Sequence, residues 1–132
     1  MKLLLDTHIF IWLIDNDRRL SKQYRQIIQD PNNEKFLSVV SIWECAIKYQ
    51  IGKLNLPISP ETYLPVERRK HLIKTLTVDE NSIVSLVNLP LLHKDPFDRL
   101  IMAQALQHNL TIMTEDKLIL AYPDIPLLQS KL

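Results

Sequence analysis

LLLDTHIFIWLI, residues 3–14, is an apolar triplet, one acid and then an almost entirely apolar stretch. The triplet has the composition of a short buried strand over residues 2–5, and Thr7 is placed to cap a helix that runs to about Ile14. Because this helix is apolar on every side, we expect it to be buried on more than one face. Two explanations stay open: the helix contributes to a partner surface, or it is central and covered by its own chain.

Strands and helices alternate along the rest of the chain. Helix starts are marked by serine or aspartate caps at Ser21, Ser41, Ser59, Asp79 and Asp95. Strand candidates lie near residues 36–40, 72–76, 110–114 and 125–128, and a short helix is expected over residues 116–122. This alternation predicts an α/β fold with a parallel sheet and helices on both faces.

The composition bounds the size and class of the protein. With 132 residues and 46% hydrophobic content, residues 1–132 have the size of a single domain. A single glycine leaves no Gly-rich phosphate loop, so Walker A and dinucleotide-binding motifs are excluded. The net charge of +1 gives no overall attraction to nucleic acid, and no apolar run approaches a membrane span. The single cysteine, Cys45, cannot form an internal disulfide, and a cytoplasmic location is expected.

Four acids lie where an open α/β sheet places its ligands: Asp6, Glu44, Asp98 and Asp116. Asp6 and Asp116 follow strand candidates, and the other two lie near helix starts. Ligand sites in such sheets form beyond the carboxyl ends of the strands. Four carboxylates that converge there would repel one another unless a hard divalent cation neutralised them. The pattern predicts a Mg²⁺ site, with Mn²⁺ also possible, that activates water for chemistry on phosphates.

Each acid also has a purely structural explanation. Ser41 and Glu44 have the spacing of a capping box, and Glu44 and Lys48 have the spacing of an i,i+4 ion pair. Asp98 would face the positive end of its helix, and Asp116 could cap a short helix of its own. These explanations are the more ordinary for each acid alone, whereas the four positions together favour a joint site. Both interpretations stay open at this point.

Three further residues are candidates for supporting roles. Thr7 and Thr114 carry hydroxyls beside two of the acids, where they could orient a ligand, although caps and strand packing explain them equally well. Arg99 has forked donors suited to a phosphate or carboxylate. The four histidines show no zinc-like spacing with Cys45, which we interpret as a core thiol. Basic residues cluster within 18–25, 48–53 and 68–74, as solvated helix faces or as phosphate contacts.

Four segments carry a family resemblance, in the following order along the chain: LLLDTHIFIWLI at 3–14, SVVSIWECAIKYQIGKLNL at 38–56, LPLLHKDPFDRLIMAQAL at 89–106 and TIMTED at 111–116. Together they resemble the PIN-domain ribonucleases, specifically the VapC-type toxins of bacterial toxin–antitoxin pairs. The segments span nearly the whole chain in the order of the family. The chain departs from the family pattern at two positions: Cys45 stands where an aliphatic residue is usual, and Asn109 where glycine is usual. Both departures are minor, because neither changes one of the four acids.

The resemblance implies a three-layer α/β/α fold and Mg²⁺- or Mn²⁺-dependent cleavage of RNA. It assigns the four family acids to Asp6, Glu44, Asp98 and Asp116, with Thr114 as the hydroxyl residue before the last acid. Asp6 and Asp98 are the expected direct metal contacts, and the other two acids are expected to act partly through water. The resemblance also implies a cognate antitoxin that blocks the site, with a homodimer or a toxin–antitoxin hetero-oligomer.

Three other classes of protein are alternatives. A receiver-like signalling domain also binds Mg²⁺ in an acidic pocket, but it needs paired acids after the first strand. A dehalogenase-type phosphatase needs a second acid two residues after Asp6, and that position is His8. A non-catalytic protein-binding α/β module, in which every acid is a helix cap, needs no second acid near Asp6. The effect of Asp6→Ala on RNA cleavage distinguishes the nuclease from the binding module.

Overall fold

The computed structural model describes residues 1–123 and 125–128. Within these residues the helices and strands follow one another in this order: β1 (Lys2–Leu5), α1 (Thr7–Ile14), α2 (Lys22–Gln29), β2 (Glu34–Ser38), α3 (Val39–Gln50), α4 (Pro60–Lys70), β3 (Lys74–Leu76), α5 (Glu80–Val87), α6 (Pro96–His108), β4 (Thr111–Met113), α7 (Lys117–Leu120) and β5 (Leu127–Leu128). No helix in these described ranges is long and apolar enough to cross a membrane.

The strands form one parallel sheet in the order β3-β2-β1-β4-β5. The central strand is β1, where Leu5 is in register with Leu37 of β2 and Met113 of β4. The predicted parallel sheet is therefore confirmed. The chain fills the sheet outward from β1 in both directions, so the crevice between the carboxyl ends of β1 and β4 is a topological switch point.

Two apolar cores lie on opposite faces of the sheet. Because side chains alternate along a strand, Leu3 and Leu5 enter one core and Leu4 enters the other. The first core contains residues of α1 to α4, and the second contains residues of α6 and α7. This arrangement confirms the predicted three-layer α/β/α fold.

Helix α1 is covered mainly by its own chain. Ile9, Phe10 and Leu13 are at most 3% exposed and belong to the first core. Three more apolar side chains of the helix are half-buried and pack against this core, namely Ile11, Trp12 and Ile14. The central-helix explanation therefore accounts for most of its apolar surface.

Two predicted helix caps are wrong. Asp6, rather than Thr7, caps α1, and Ser38, rather than Ser41, caps α3. Strand β2 ends at Ser38, two residues before the predicted end. The β-branched residues 39–40 suggested a longer strand, but the structure places them in the first turn of α3. Ser41 therefore lies inside the helix, where its hydroxyl accepts a hydrogen bond from Thr7 Oγ1 at 2.8 Å.

Other local predictions are confirmed. Ser21, Ser59, Asp79 and Asp95 occupy helix N-cap positions. Cys45 is a buried core thiol, and its burial raises the pKa to about 12, so the thiol stays protonated.

Candidate active site

Asp6 is held at the carboxyl end of β1 by main-chain contacts. Its backbone amide donates to the Met113 carbonyl at 3.0 Å, which ties it to β4. Its Oδ1 accepts from the backbone amide of His8 at 3.3 Å and caps α1. The residue is only 2% exposed. The strand end and the helix start together fix this carboxylate at the switch point of the sheet.

Thr114 joins two of the predicted acids. Its hydroxyl donates to Asp6 Oδ2 and accepts from the backbone amide of Asp116 at 3.0 Å. Asp116 in turn caps α7, where its Oδ1 accepts from the Leu118 amide at 2.8 Å. Thr114 itself is 1% exposed. The loop after β4 therefore holds its acid in a fixed relation to the acid after β1.

Asp98 lies in the first turn of α6, where Asp95 sets the start of the helix. Asp95 Oδ1 accepts from the backbone amides of Phe97 at 2.9 Å and Asp98 at 3.1 Å. The Asp98 side chain meets the ring of His93, with 2.8 Å between Oδ2 and Nε2. Asp98 is therefore presented to the site from a well-anchored helix end.

His93 is a site residue that the sequence interpretation missed. Its Nε2 lies 3.9 Å from Asp116 Oδ2, and the ligand atoms of His93, Asp98 and Asp116 all lie within 4.8 Å of one another. Its backbone amide donates to the Tyr122 hydroxyl at 2.9 Å, which holds the loop in place. His93 is far from Cys45 in the sequence, so a zinc-like spacing could not reveal it. The available signal was its position five residues before Asp98 in the same motif.

Glu44 combines a paired oxygen with an unpaired one. Oε2 forms an ion pair with Lys48 Nζ at 3.0 Å, as the i,i+4 spacing predicts. Oε1 is buried and has no hydrogen-bond partner among the residues that the structure describes. The capping-box explanation of Glu44 is therefore wrong. A buried carboxylate oxygen without a partner is costly, so this atom marks a place for a cation or a donor.

The charges of the acids act on one another. Burial raises the pKa of Asp98 to about 7, against the lowering effect of the His93 hydrogen bond. The charges of Asp6, Asp95 and Glu44 raise the same pKa further. These carboxylates therefore form one electrostatic site, although the tightest cluster contains only two of the four predicted acids.

The pKa of Asp6 is displaced in the same direction. Burial raises it, while the Thr114 hydrogen bond and the His8 contacts lower it, and the charge of Asp116 raises it again. Two buried acids at one edge of the sheet thus resist ionisation. Shifted pKa values of this kind are common at functional sites, because crowded carboxylates destabilise a fold and are kept where they serve a function.

Two of the predicted supporting residues form hydrogen bonds with other parts of the protein. The Thr7 hydroxyl donates to Ser41 and links α1 to α3. The Arg99 guanidinium donates to main-chain carbonyls of Leu86 at 3.3 Å, Pro90 at 2.9 Å and His93 at 3.5 Å. The phosphate or carboxylate contact that the sequence suggested for Arg99 stays a prediction. Arg99 stabilises the loop that carries His93.

We expect Arg99→Ala to lower the free energy of unfolding by about 1–3 kcal/mol, because three main-chain carbonyls lose a charged donor. Urea denaturation measures this loss. The matched control is Arg69→Ala, an exposed arginine on α4, for which we expect a change within about 0.5 kcal/mol. Equal stability of the two variants would contradict the structural role of Arg99.

The fold and the site define a doubly wound α/β protein with crowded acids at the switch point of its sheet. The PIN domain family profile matches residues 3–124, and the chain belongs to this family. The resemblance seen in the sequence is therefore confirmed.

Two curated relatives come from Mycobacterium tuberculosis. The chain is 28% identical over 115 residues to the protein named Ribonuclease VapC22, covering 86% of each protein. It is 42% identical over 55 residues to Ribonuclease VapC16, a match that covers 42% of this chain and only 39% of that relative.

Solved structures share the fold at low sequence identity. One is VapBC2 from Rickettsia felis bound to a promoter DNA fragment, with a TM-score of 0.72, 16% identity and coverage of 97% of this chain and 98% of that one. Another is DNA-bound VapBC from Salmonella typhimurium, with a TM-score of 0.67, 19% identity and 97% coverage of both chains.

Proposed function

We propose that residues 1–132 form a single PIN domain that acts as a metal-dependent endoribonuclease, the toxin of a bacterial toxin–antitoxin pair. The observation that carries this proposal is the cluster of Asp98, Asp116 and His93, whose ligand atoms lie within 4.8 Å of one another beside Asp6 and Glu44. Two relatives named as ribonucleases support the activity. The cytoplasm, where RNA substrates are present, is the proposed place of action.

The donor set fits a hard divalent cation, Mg²⁺ or Mn²⁺. Carboxylate oxygens are the ligands that these ions prefer, and the unpaired Glu44 Oε1 is a buried oxygen in need of positive charge. Asp6, Glu44, Asp98 and Asp116 are the residues that would hold the ion. His93 already bonds Asp98 Oδ2, so we assign it to orienting that carboxylate.

The residues of the chain prepare the site for phosphodiester hydrolysis. When bound, a divalent cation would neutralise the acids, stabilise charge on the phosphoryl oxygens and make water more acidic. Thr114 fixes Asp6 through one oxygen, and His93 fixes Asp98 through one oxygen. An ionised Asp98 can only accept, so His93 then carries its proton on Nε2. The second oxygen of Asp98 stays available for other contacts, whereas Asp6 Oδ1 also accepts from the His8 amide.

A protein partner is part of the proposal. Several solved relatives are VapBC complexes, and one from Klebsiella pneumoniae is described as a toxin–antitoxin complex. We propose that a cognate antitoxin binds this chain. The assembly would be a homodimer of the toxin or a toxin–antitoxin hetero-oligomer. The site has an excess of carboxylates, so an antitoxin that blocks it would be expected to present a cationic side chain.

The decisive test is cleavage of total RNA by antitoxin-free protein with Mg²⁺, with EDTA and with Asp6→Ala in parallel. We expect cuts that need the metal and that Asp6→Ala cannot make. Asp30→Ala, which changes an exposed acid at the end of α2, is the control and should cut normally. A fully active Asp6→Ala protein would refute the assignment. A well-folded protein that cuts no RNA with any divalent metal would favour the non-catalytic binding module.

A further inference from the structure

Aromatic and basic side chains line two adjoining cavities beside the acids. A cavity of about 320 Å³ is lined by Asp6, Asp116, Glu115, His8, Trp12 and Arg19. A second cavity of about 200 Å³ shares His8, Trp12 and Arg19, and its lining includes Lys48 and Lys53. The first cavity therefore connects the acidic site to an aromatic surface, and the second continues that surface towards positive charge.

Trp12 is the centre of this surface. The Arg19 guanidinium carbon lies 5.1 Å from the centroid of the Trp12 ring, in a cation–π contact. The His8 ring lies 6.2 Å from the Trp12 ring, tilted by 46°. Asp17 holds Arg19 in place through Oδ2 to Nη2 at 2.8 Å and Oδ1 to Nε at 3.2 Å. Two planar groups and a guanidinium are thus positioned together at the rim of the acidic site.

Fold stability explains only part of this arrangement, namely the packing of Trp12 against the first core. The Arg19 side chain is 69% exposed, and exposed ion pairs contribute little to stability. Trp12 is half-buried, so part of its ring faces the cavities rather than the core. His8 is exposed beside it. The three side chains are therefore oriented and accessible, as a binding surface requires.

We propose that His8, Trp12 and Arg19 form a subsite for one unpaired nucleotide of single-stranded RNA, with Lys48 and Lys53 contacting its neighbouring phosphates. This inference rests on the proposed ribonuclease function. The subsite would hold the base next to the bond that is cut, against the Trp12 ring and the Arg19 guanidinium.

The chemistry of the surface favours unpaired RNA. Exposed bases stack on aromatic rings and on arginine planes, whereas the bases of a duplex already stack on one another. The acids repel a phosphate backbone, and the basic side chains of the second cavity offset that repulsion. A cavity of about 320 Å³ is small for a ligand pocket and suits a single nucleotide rather than a helix.

The test measures binding rather than cleavage. The Asp98→Asn protein, in Mg²⁺ buffer, is titrated against fluorescein-labelled oligo(U) and oligo(A) single strands and against a blunt RNA duplex. Trp12→Leu in this background should weaken single-strand binding by roughly 5- to 150-fold, the range for one lost base–aromatic stack. Trp12→Phe should lose less, because a ring remains. Trp43→Leu is the matched control, since Trp43 is 57% exposed on α3, and it should bind like the parent.

Two further readouts do not depend on comparing Trp12 variants. The protein has two tryptophans, so Trp43→Phe leaves Trp12 as the sole indole, and its fluorescence should be quenched by single strands. Lys53→Gln should reduce the slope of log Kd against log salt by about 0.7, as expected for one lost phosphate contact to a single strand.

The outcomes separate this inference from the proposed function. Unchanged single-strand binding by Trp12→Leu, with its thermal unfolding intact, would overturn the subsite even if the native protein cuts RNA. Equal affinity for duplex and single strands would also overturn it. If the native protein neither binds nor cuts RNA, the ribonuclease proposal fails and the subsite fails with it. Binding of an arginine-rich peptide but no RNA would instead assign the surface to a protein partner.

Discussion

Asp98→Asn is expected to abolish RNA cleavage and to make the metal-free protein more stable. A bound cation contributes several kcal/mol to phosphoryl chemistry, so losing one of its acids should reduce the rate on the order of 1000-fold. Stability should rise because burial and neighbouring charges disfavour the Asp98 carboxylate, whose pKa is raised to about 7. The neutral amide keeps an acceptor for His93 and removes the repulsion.

Cleavage assays and thermal unfolding in EDTA at pH 8 measure the two effects. We expect the midpoint of unfolding to rise on the order of 2–5 °C. Asp30→Asn, the same change at an exposed position, should alter neither quantity. If the Asp98→Asn protein cut RNA normally, Asp98 would not belong to the active site. If the variant were less stable than the native protein, the fold would need the Asp98 carboxylate.

The second large effect is a pH-dependent stability that Mg²⁺ reverses. The folded-state pKa of Asp98, about 7, lies above its ordinary value of 3.8, and that of Asp6 is raised as well. The folded state therefore holds these protons more tightly than the unfolded chain. The resulting stabilisation is complete below about pH 4 and is lost as the pH rises through about 7. Metal-free protein should consequently unfold several degrees lower at pH 8 than at pH 5.5.

Divalent cations should oppose this loss, because they bind the ionised acids of the folded state. At about 100 times the dissociation constant, a bound ion stabilises the protein by about 2.7 kcal/mol. Calorimetry at pH 5.5 and pH 8, with EDTA or with Mg²⁺, should show the larger Mg²⁺ effect at pH 8. The Asp98→Asn variant should lose the part of the pH dependence that Asp98 contributes, and the part due to Asp6 should remain. A Mg²⁺ effect that is equal at both pH values would argue against ionised acids as the ligands.

Local sequence patterns predicted the layers of the fold and the neighbourhood of the site. The alternation of elements was enough to predict the parallel sheet, because connections between parallel strands need crossover helices. The strand positions of Asp6 and Asp116 indicated the switch point correctly. These features depend on short-range patterns, which a single sequence contains.

The missed features depend on contacts between distant segments. His93 reaches Asp98 and Asp116 because the Tyr122 hydroxyl and the Arg99 guanidinium hold its loop, and no local pattern encodes those contacts. The end of β2 at Ser38 was misjudged because β propensity depends on the tertiary environment.

The ion pair between Glu44 and Lys48 couples the binding of a divalent cation to the binding of RNA. Lys48 is a resident counter-ion: it neutralises Glu44 through Oε2 and also lines the basic cavity. If a divalent ion bound the Glu44 carboxylate in place of Lys48, the Lys48 ammonium would be free to bind a phosphate. Because linkage between two bound ligands is reciprocal, a phosphate that attracts Lys48 would likewise open Glu44 to the ion. One lysine would thereby make cation and RNA cooperative occupants of the same pocket.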